Sequence, residues 1–255
     1  LQIPRLTFSM DTLIPIIVTW SVMTLSVILI LLLCKFFSFS REITGSLLLV
    51  SILGNSSFMG IPIINAYMGE TSLPYVLVYD QLGTFIALAT YGTFIASYYS
   101  SKSQITFKIM TFKVLTFPPF LSLVLALFLI GVEFNPILSK VLASFSSTIV
   151  PIALVAVGLQ LQFKLPKEEI KPFSVALIVK LIIAPVIAIV ICKIFMWENQ
   201  ASVVSIMEAA MAPMITAGAI ASMAGLAPRL SSAIVGYGIL ISFLTTAILY
   251  QYIGL

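Results

Sequence analysis

The sequence predicts an all-α membrane protein built as an inverted repeat of five helices, with two discontinuous helices that cross. Of its 255 residues, 60% are hydrophobic and 9% are charged, and the mean hydropathy is +1.17, whereas soluble domains carry roughly 25% charged residues. The apolar residues form eight runs, and a helix needs about 20 such residues to cross a bilayer. Two of the runs contain a proline preceded by small residues, which predicts a break in each.

The eight apolar segments, named A to H, contain no charge or one isolated charge. Each exceeds the roughly 18 apolar residues that mark a membrane helix, and none alternates polar with apolar residues as barrel strands do. Their ranges are about 12–34 (A), 43–69 (B), 73–100 (C), 114–132 (D), 141–163 (E), 172–192 (F), 199–227 (G) and 230–255 (H).

The basic residues fall mainly in four of the connecting loops. The A–B, C–D, E–F and G–H loops and their flanks hold nine lysines and arginines, and the loops of the opposite side hold two, Lys140 and Lys193. Because Lys and Arg are enriched in cytoplasmic loops, this asymmetry predicts that the four loops are cytoplasmic. The chain is therefore predicted to be a multi-pass protein of the cell membrane with its C-terminus outside.

Several function classes are excluded by composition. The chain has no histidine, which excludes Ser-His-Asp triads, Cys-His dyads and histidine sites for zinc or haem. The cysteines Cys34 and Cys192 lie inside apolar segments without metal or redox spacing, and no GxxxxGK[ST] phosphate loop is present. The sequence predicts no enzyme, no metal site and no cofactor other than a coupling ion, and its scattered basic residues do not favour a nucleic-acid partner.

Segments B and G are predicted to be discontinuous helices. Pro62 follows Gly-Asn-Ser-Ser-Phe-Met-Gly-Ile in B, and Pro213 follows Glu-Ala-Ala-Met-Ala in G. A proline within a span removes a backbone N–H and clashes with the preceding turn, and we expect it to stand in the first position of each second half-helix. The alternative, that each proline only kinks a continuous membrane helix, stays open at this point.

The two prolines also indicate an internal repeat. Segments B and G are five segments apart and so run in opposite directions, and the pairs Pro4–Pro151 and Pro62–Pro213 have offsets of 147 and 151 residues. Five helices per half predict ten spans in the native chain, with eight complete and part of a ninth present here, and with roughly 30 to 45 residues missing before Leu1. Residues 1–132 are assigned to the truncated first repeat together with the first helix of the second repeat, which starts at about residue 105. Residues 133–255 are assigned to the remainder of the second repeat, and the whole chain is predicted to form a single membrane domain.

Corresponding broken helices in two inverted halves are typical of the midplane binding site of a secondary transporter. The half-helices beginning at the two prolines would direct free N–H groups and positive dipole ends at a carboxylate. The sequence therefore predicts alternating-access transport of a small organic anion in the lipid bilayer. The predicted substrate-binding residues are Asn55, Ser56, Ser57, Gly60, Pro62, Ala212, Pro213, Met214 and Thr216.

Three charged residues within the spans are the predicted ion-coupling residues, because intramembrane charges are costly and usually functional. Glu208 is a predicted proton or cation site, or else a structural partner of Lys180. Asp80 stands near the start of segment C and could instead face outer water. Lys180 could neutralise an anion or pair with Glu208, and its long stem could also reach the surface by snorkelling.

The stretch from Gly54 to Pro62 resembles the Gly-Asn-Thr-Gly-Phe-x-Gly-x-Pro motif of the auxin efflux carrier family. The resemblance extends to residues 1–9, 180–185 and 210–213. It implies ten helices in two inverted repeats, a scaffold domain and a transport domain whose fourth and ninth helices, here B and G, cross at their prolines, with Asn55 at the crossing. It also makes a homodimer plausible.

This sequence departs from the family motif at two places. Ser56 and Ser57 replace the usual Thr-Gly, and Glu208 stands where many members carry Gln. The second departure leaves the coupling ion open between H⁺ and Na⁺. The sodium–bile acid symporters share the architecture, so a sodium-coupled symporter of that type and a passive channel or facilitator of the same fold are the alternatives.

Overall fold

The computed structural model describes residues 10–100, 134–148 and 167–253, together with isolated positions between these ranges. Apart from such positions, segment D and the second half of segment E lie outside the described residues, as do Pro4 and Pro151. The five-helix repeat and the proposed division of the chain at residue 132 therefore stay predictions.

The described residues are helical almost throughout, and they include no β-strand. Within residues 10–100 and 167–253, short turns join the α-helices. Stretches of π-helix interrupt or precede several of them at Ser56–Gly60, Tyr79–Phe85, Leu88–Gly92 and Val179–Ile183. The α-helices are α1 (Leu13–Phe36), α2 (Arg41–Val50), α3 (Ile61–Met68), α4 (Leu73–Val78), α5 (Thr93–Tyr99), α6 (Pro136–Ser147), α7 (Ile170–Ile178), α8 (Ala184–Ile194), α9 (Gln200–Ala209), α10 (Ile215–Met223) and α11 (Pro228–Ile253).

Three helical stretches of the described chain are long and apolar enough to cross a bilayer. They are Met10–Phe36, Lys167–Ile194 and Pro228–Ile253, and they confirm segments A, F and H as membrane-capable helices. Large apolar side chains are exposed on their outward faces, for example Leu32 at 61% and Leu244 at 64%. Such an exposed apolar surface is typical of helices that face lipid.

The interior of the bundle is formed by α2 and α10 against α11. All residues of α2 from Thr44 to Val50 are buried, as expected of a helix enclosed on every side. The Ser46 and Ser231 hydroxyls lie 2.7 Å apart across the α2–α11 contact. The broken segments B and G therefore share one core with the last helix.

One end of the bundle gathers positively charged side chains from different segments. Arg41 donates to the Tyr98 carbonyl, and its guanidinium lies 5.0 Å from the centre of the Tyr98 ring. The Lys171 ammonium lies 4.1 Å from the centre of the Phe37 ring. These contacts bring the A–B loop, the end of C and the start of F to the same end, as expected if all three face the cytoplasm.

Candidate functional site

The first break lies between α2 and α3. α2 ends at Val50, and helical geometry resumes only in the π-helical turn Ser56–Gly60, which leads directly into α3. Pro62 is the second residue of α3, and the π-helical turn that begins at Ser56 runs directly into it. The break in B lies before Pro62, but the proline is not in the first position of the second half-helix, and that part of the prediction is wrong.

The second break lies between α9, which ends at Ala209, and α10, which begins at Ile215. Pro213 is therefore not in the first position of a half-helix, and that part of the prediction is wrong. The residue before α10, Met214, is extended with φ −69° and ψ 127°. Pro213 belongs instead to the non-helical stretch between the two half-helices.

The two breaks cross and pair with each other through an antiparallel bridge. Gly54 faces Pro213, the Asn55 N–H donates to the Ala212 carbonyl at 2.8 Å, and the Met214 N–H donates to the Leu53 carbonyl at 2.9 Å. Both bonds flank the Gly54–Pro213 pair, so the position that Pro213 occupies needs no N–H. The bridge confirms that B and G are discontinuous and cross, and it excludes two merely kinked helices.

The last helix is fitted to this crossing through Gly238. A Cβ atom built on Gly238 would lie 2.5 Å from the Cδ and 2.7 Å from the Cγ of Pro213. The proline ring cannot move out of the way, because the residues on both sides of Pro213 are held by the hydrogen bonds of the bridge. Only glycine lets α11 approach the crossing this closely.

We expect the Gly238→Ala substitution to lower the free energy of unfolding by about 1 to 3 kcal/mol through overpacking against Pro213. Thermal unfolding of the purified protein in detergent measures the effect. Gly92→Ala is the matched control, because its new methyl group meets the mobile ends of Leu88 and Leu53 at 3.3 and 3.4 Å. Equal melting temperatures for the two variants would contradict a tight contact at Pro213.

Lys180 is buried beside the crossing and is not at the membrane surface. Its exposed fraction is 3%, so the snorkelling alternative is wrong. The Nζ atom donates to the Ala209 carbonyl at 3.0 Å, a carbonyl that the end of α9 leaves without a helical partner. A Cβ on Gly54 would lie 2.9 Å from Nζ, so the glycine of the bridge provides the space for the ammonium group.

Asp80 is also buried, with an exposed fraction of 2%, so the alternative that it faces outer water is wrong. One carboxylate oxygen accepts a hydrogen bond from the Ser56 hydroxyl at 2.6 Å, and the other accepts from the Gln81 side-chain amide at 2.5 Å. Ser56 lies in the π-helical turn after the first break. Asp80 thus fixes the broken segment B to the third span.

Glu208 lies in the last turn of α9 and is fully buried. Neither of its carboxyl oxygens has a hydrogen-bond partner among the described residues. A Cβ atom built on Gly60 would overlap the Glu208 carboxyl group. The side chain therefore reaches from one broken helix to the bare backbone of the other.

Asn55 is buried as well, with an exposed fraction of 2%. Its backbone is held in the bridge, but its side-chain Nδ2 atom has no partner within the described part of the chain. A buried amide donor without a partner is costly. The Asn55 side chain is therefore a donor that a bound group could satisfy.

The structure brings most of the predicted residues to one place. The bridge is surrounded by six of the predicted substrate-binding residues and by all three predicted ion-coupling residues. These are Asn55, Ser56, Gly60, Ala212, Pro213 and Met214, and Lys180, Asp80 and Glu208. Pro62 lies just beyond the bridge, in α3. Ser57 and Thr216 are half-buried; the Ser57 side chain is hydrogen-bonded to the Asp80 carboxyl group, and Thr216 lies in the first turn of α10. Sequence reasoning missed Gly54, Gln81 and Gly238, of which the first is part of the B motif and the second follows Asp80 directly.

Two broken helices that cross within a bundle of apolar helices, with charged side chains buried at the crossing, are typical of the binding site of a membrane transporter. Two archaeal proteins are similar to this chain. An uncharacterized transporter of Methanocaldococcus jannaschii is 28% identical over 180 residues, 69% of this chain and 57% of the relative. An uncharacterized transporter of Methanothermobacter thermautotrophicus is 25% identical over 184 residues, 70% of this chain and 58% of the relative.

The model of the membrane transport protein family matches residues 5–250. The chain belongs to this family, which is the auxin efflux carrier family that the B motif resembles. The chain spans somewhat more than half the length of the two archaeal relatives to which it is similar.

Proposed function

We propose that the protein is a secondary active transporter that moves a small organic anion by alternating access, driven by a cation gradient. The observation that carries this proposal is the antiparallel bridge between the two breaks. The helical turn that begins at Ser56 and the helix α10 both start within two residues of the bridge, and helix N-termini attract anions through their free N–H groups and dipoles.

Two further features of the crossing support an anionic substrate. The Asn55 amide lacks a partner among the described residues, and an amide N–H suits a carboxylate oxygen. Lys180 provides a buried positive charge near the same backbone. A small carboxylate would satisfy the amide and be attracted by the ammonium group.

The buried carboxyl groups support coupling to a cation. If both were ionised, Asp80 and Glu208 would together carry more negative charge than Lys180 can balance, and an uncompensated buried charge is costly, so a bound cation or proton would stabilise the site. A passive facilitator has no need of this arrangement. The chain would lie in the cell membrane with its basic loops in the cytoplasm and its C-terminus outside.

Binding and uptake assays on the full-length protein test this function. Purified protein is heated with monocarboxylates, dicarboxylates or indole acids, with and without sodium, since a ligand of the folded state raises the melting temperature. The stabilising anion is then followed into proteoliposomes. Saturable uptake that stops when the ion gradient is collapsed supports the proposal, and uptake that ignores the gradient would indicate a passive facilitator.

We expect Asn55→Ala to reduce anion uptake about tenfold to a hundredfold, the loss of one buried hydrogen bond to a charged group. The melting temperature should change little, because the described chain offers the side-chain amide no partner to lose and the bridge uses only the Asn55 backbone. Asn65→Ala, on the exposed side of α3, is the control. Wild-type uptake in Asn55→Ala would remove the amide from the binding site.

A further inference from the structure

The two buried carboxyl groups at the crossing have opposite surroundings. Both oxygens of Asp80 accept hydrogen bonds, from Ser56 and from Gln81, and such bonds stabilise the charged form of a carboxylate. Neither oxygen of Glu208 has a hydrogen-bond partner among the described residues. Where two neighbouring carboxyls differ in this way, the unsupported one is the better candidate to hold a proton.

The charges around Glu208 favour the same division. The titratable groups that interact with it are Asp80 and Tyr79 of the third span and Lys180 of the sixth segment. Asp80 repels a negative charge on Glu208, and Lys180 attracts it. With Asp80 and Lys180 ionised and Tyr79 neutral, one proton on Glu208 makes the buried cluster electrically neutral.

Gly60 determines where the Glu208 carboxyl lies. It belongs to the π-helical turn of the other broken helix, and any side chain there would overlap the carboxyl group. Because Gly60 has no side chain, the Glu208 carboxyl group lies directly against the Gly60 backbone, and both of its oxygens are without a hydrogen-bond partner among the described residues. Proton binding on one broken helix is thereby linked to the position of the other.

We propose that Glu208 is the group that takes up and releases the coupling proton, and that Gly60 is a positioning residue that keeps its carboxyl group free to do so. An O–H bond forms on Glu208 with a proton from water on one side of the membrane, and the same bond breaks when the proton passes to water on the other side. Asp80 stays ionised, because its carboxylate oxygens accept hydrogen bonds from Ser56 and Gln81. That this proton drives transport rests on the proposed function, whereas the protonation of Glu208 does not.

Labelling with dicyclohexylcarbodiimide tests the proton site without any knowledge of the substrate. This reagent reacts with the protonated form of a carboxyl in apolar surroundings and leaves a stable N-acylurea that peptide mass spectrometry locates. We expect the full-length protein to be labelled at Glu208 and not at Asp80. Labelling should fall about tenfold per pH unit once the carboxyl has lost its proton, and it should not depend on sodium.

The Gly60→Ala variant tests the positioning role. We expect its new methyl group to displace the carboxyl and to reduce Glu208 labelling severalfold, with a changed pH profile. Gly92→Ala is the control, since that methyl group meets the side-chain ends of two leucines and, at an ordinary contact distance of 3.8 Å, the Ala87 carbonyl. If Gly60→Ala does not fold, the double variant Gly60→Ala/Glu208→Asp, whose acid is one methylene shorter, should restore the fold and the labelling.

Each other outcome is decisive. Labelling at Asp80 instead of Glu208, or protection of Glu208 by sodium, overturns the proton assignment. Labelling of Gly60→Ala with the wild-type pH profile overturns the positioning role. Saturable, gradient-driven anion uptake with an unlabelled Glu208 would refute this inference and leave the proposed function standing, whereas a labelled Glu208 in a protein that transports no carboxylate would refute the function and leave the proton site standing.

Discussion

The Glu208→Gln variant should no longer accumulate its anion in response to a pH gradient. Glutamine has the shape of a protonated glutamic acid but cannot release a proton, so the variant would keep the neutral form of the site throughout the cycle. For an exchange of one proton per anion, each pH unit across the membrane sustains about a tenfold accumulation, since one unit corresponds to about 1.4 kcal/mol. The wild type should reach that ratio and Glu208→Gln should stay near equal concentrations.

Uptake into proteoliposomes with an imposed pH gradient measures the difference. Glu198→Gln is a suitable control, because Glu198 is an exposed acid just before α9. Accumulation by Glu208→Gln that still follows the gradient would exclude this carboxyl from energy coupling. Accumulation that follows a sodium gradient in the wild type would instead favour the alternative of a sodium-coupled symporter.

The breaks in segments B and G could be predicted from local sequence, because the proline effect on a helix acts within one turn. The break in B precedes Pro62 by several residues, since helical geometry resumes at Ser56 and Pro62 is the second residue of α3. The predicted first helical position is also wrong for Pro213, since the extended conformation of that residue depends on pairing with Gly54, which lies far away in the sequence. Local rules cannot anticipate a bridge between two distant segments.

The identities of the buried charges were also predictable, whereas their surroundings were not. A charged residue inside an apolar run is recognisable in any sequence, and Asp80, Lys180 and Glu208 were found in this way. Their partners depend on tertiary contacts such as Ser56 with Asp80 and Gly60 with Glu208. The different surroundings of the two carboxyls therefore became visible only in the folded chain.

The Lys180→Met variant should lose about 3 to 5 kcal/mol of unfolding free energy, the usual cost of removing one partner from a buried set of charges. Methionine keeps most of the volume of the lysine stem, but it leaves the Ala209 carbonyl without its donor and removes the positive charge from the buried cluster that also holds Asp80 and Glu208. Thermal unfolding in detergent measures the loss. Lys193→Met, at the exposed end of α8, should be close to neutral.

A second substitution then distinguishes the two possible charge states of the site. Suppose that Glu208 holds a proton and that Asp80 is ionised. The double variant Lys180→Met/Asp80→Asn then removes the remaining charge and should regain most of the lost stability. The double variant Lys180→Met/Glu208→Gln replaces a group that is already neutral and should regain little. If Glu208 were instead the ionised partner of Lys180, the order of the two rescues would be reversed. Because buried pairs replaced together by neutral groups are often tolerated well, the two double variants should differ by several degrees in melting temperature, and the sign of that difference identifies which carboxyl carries the proton.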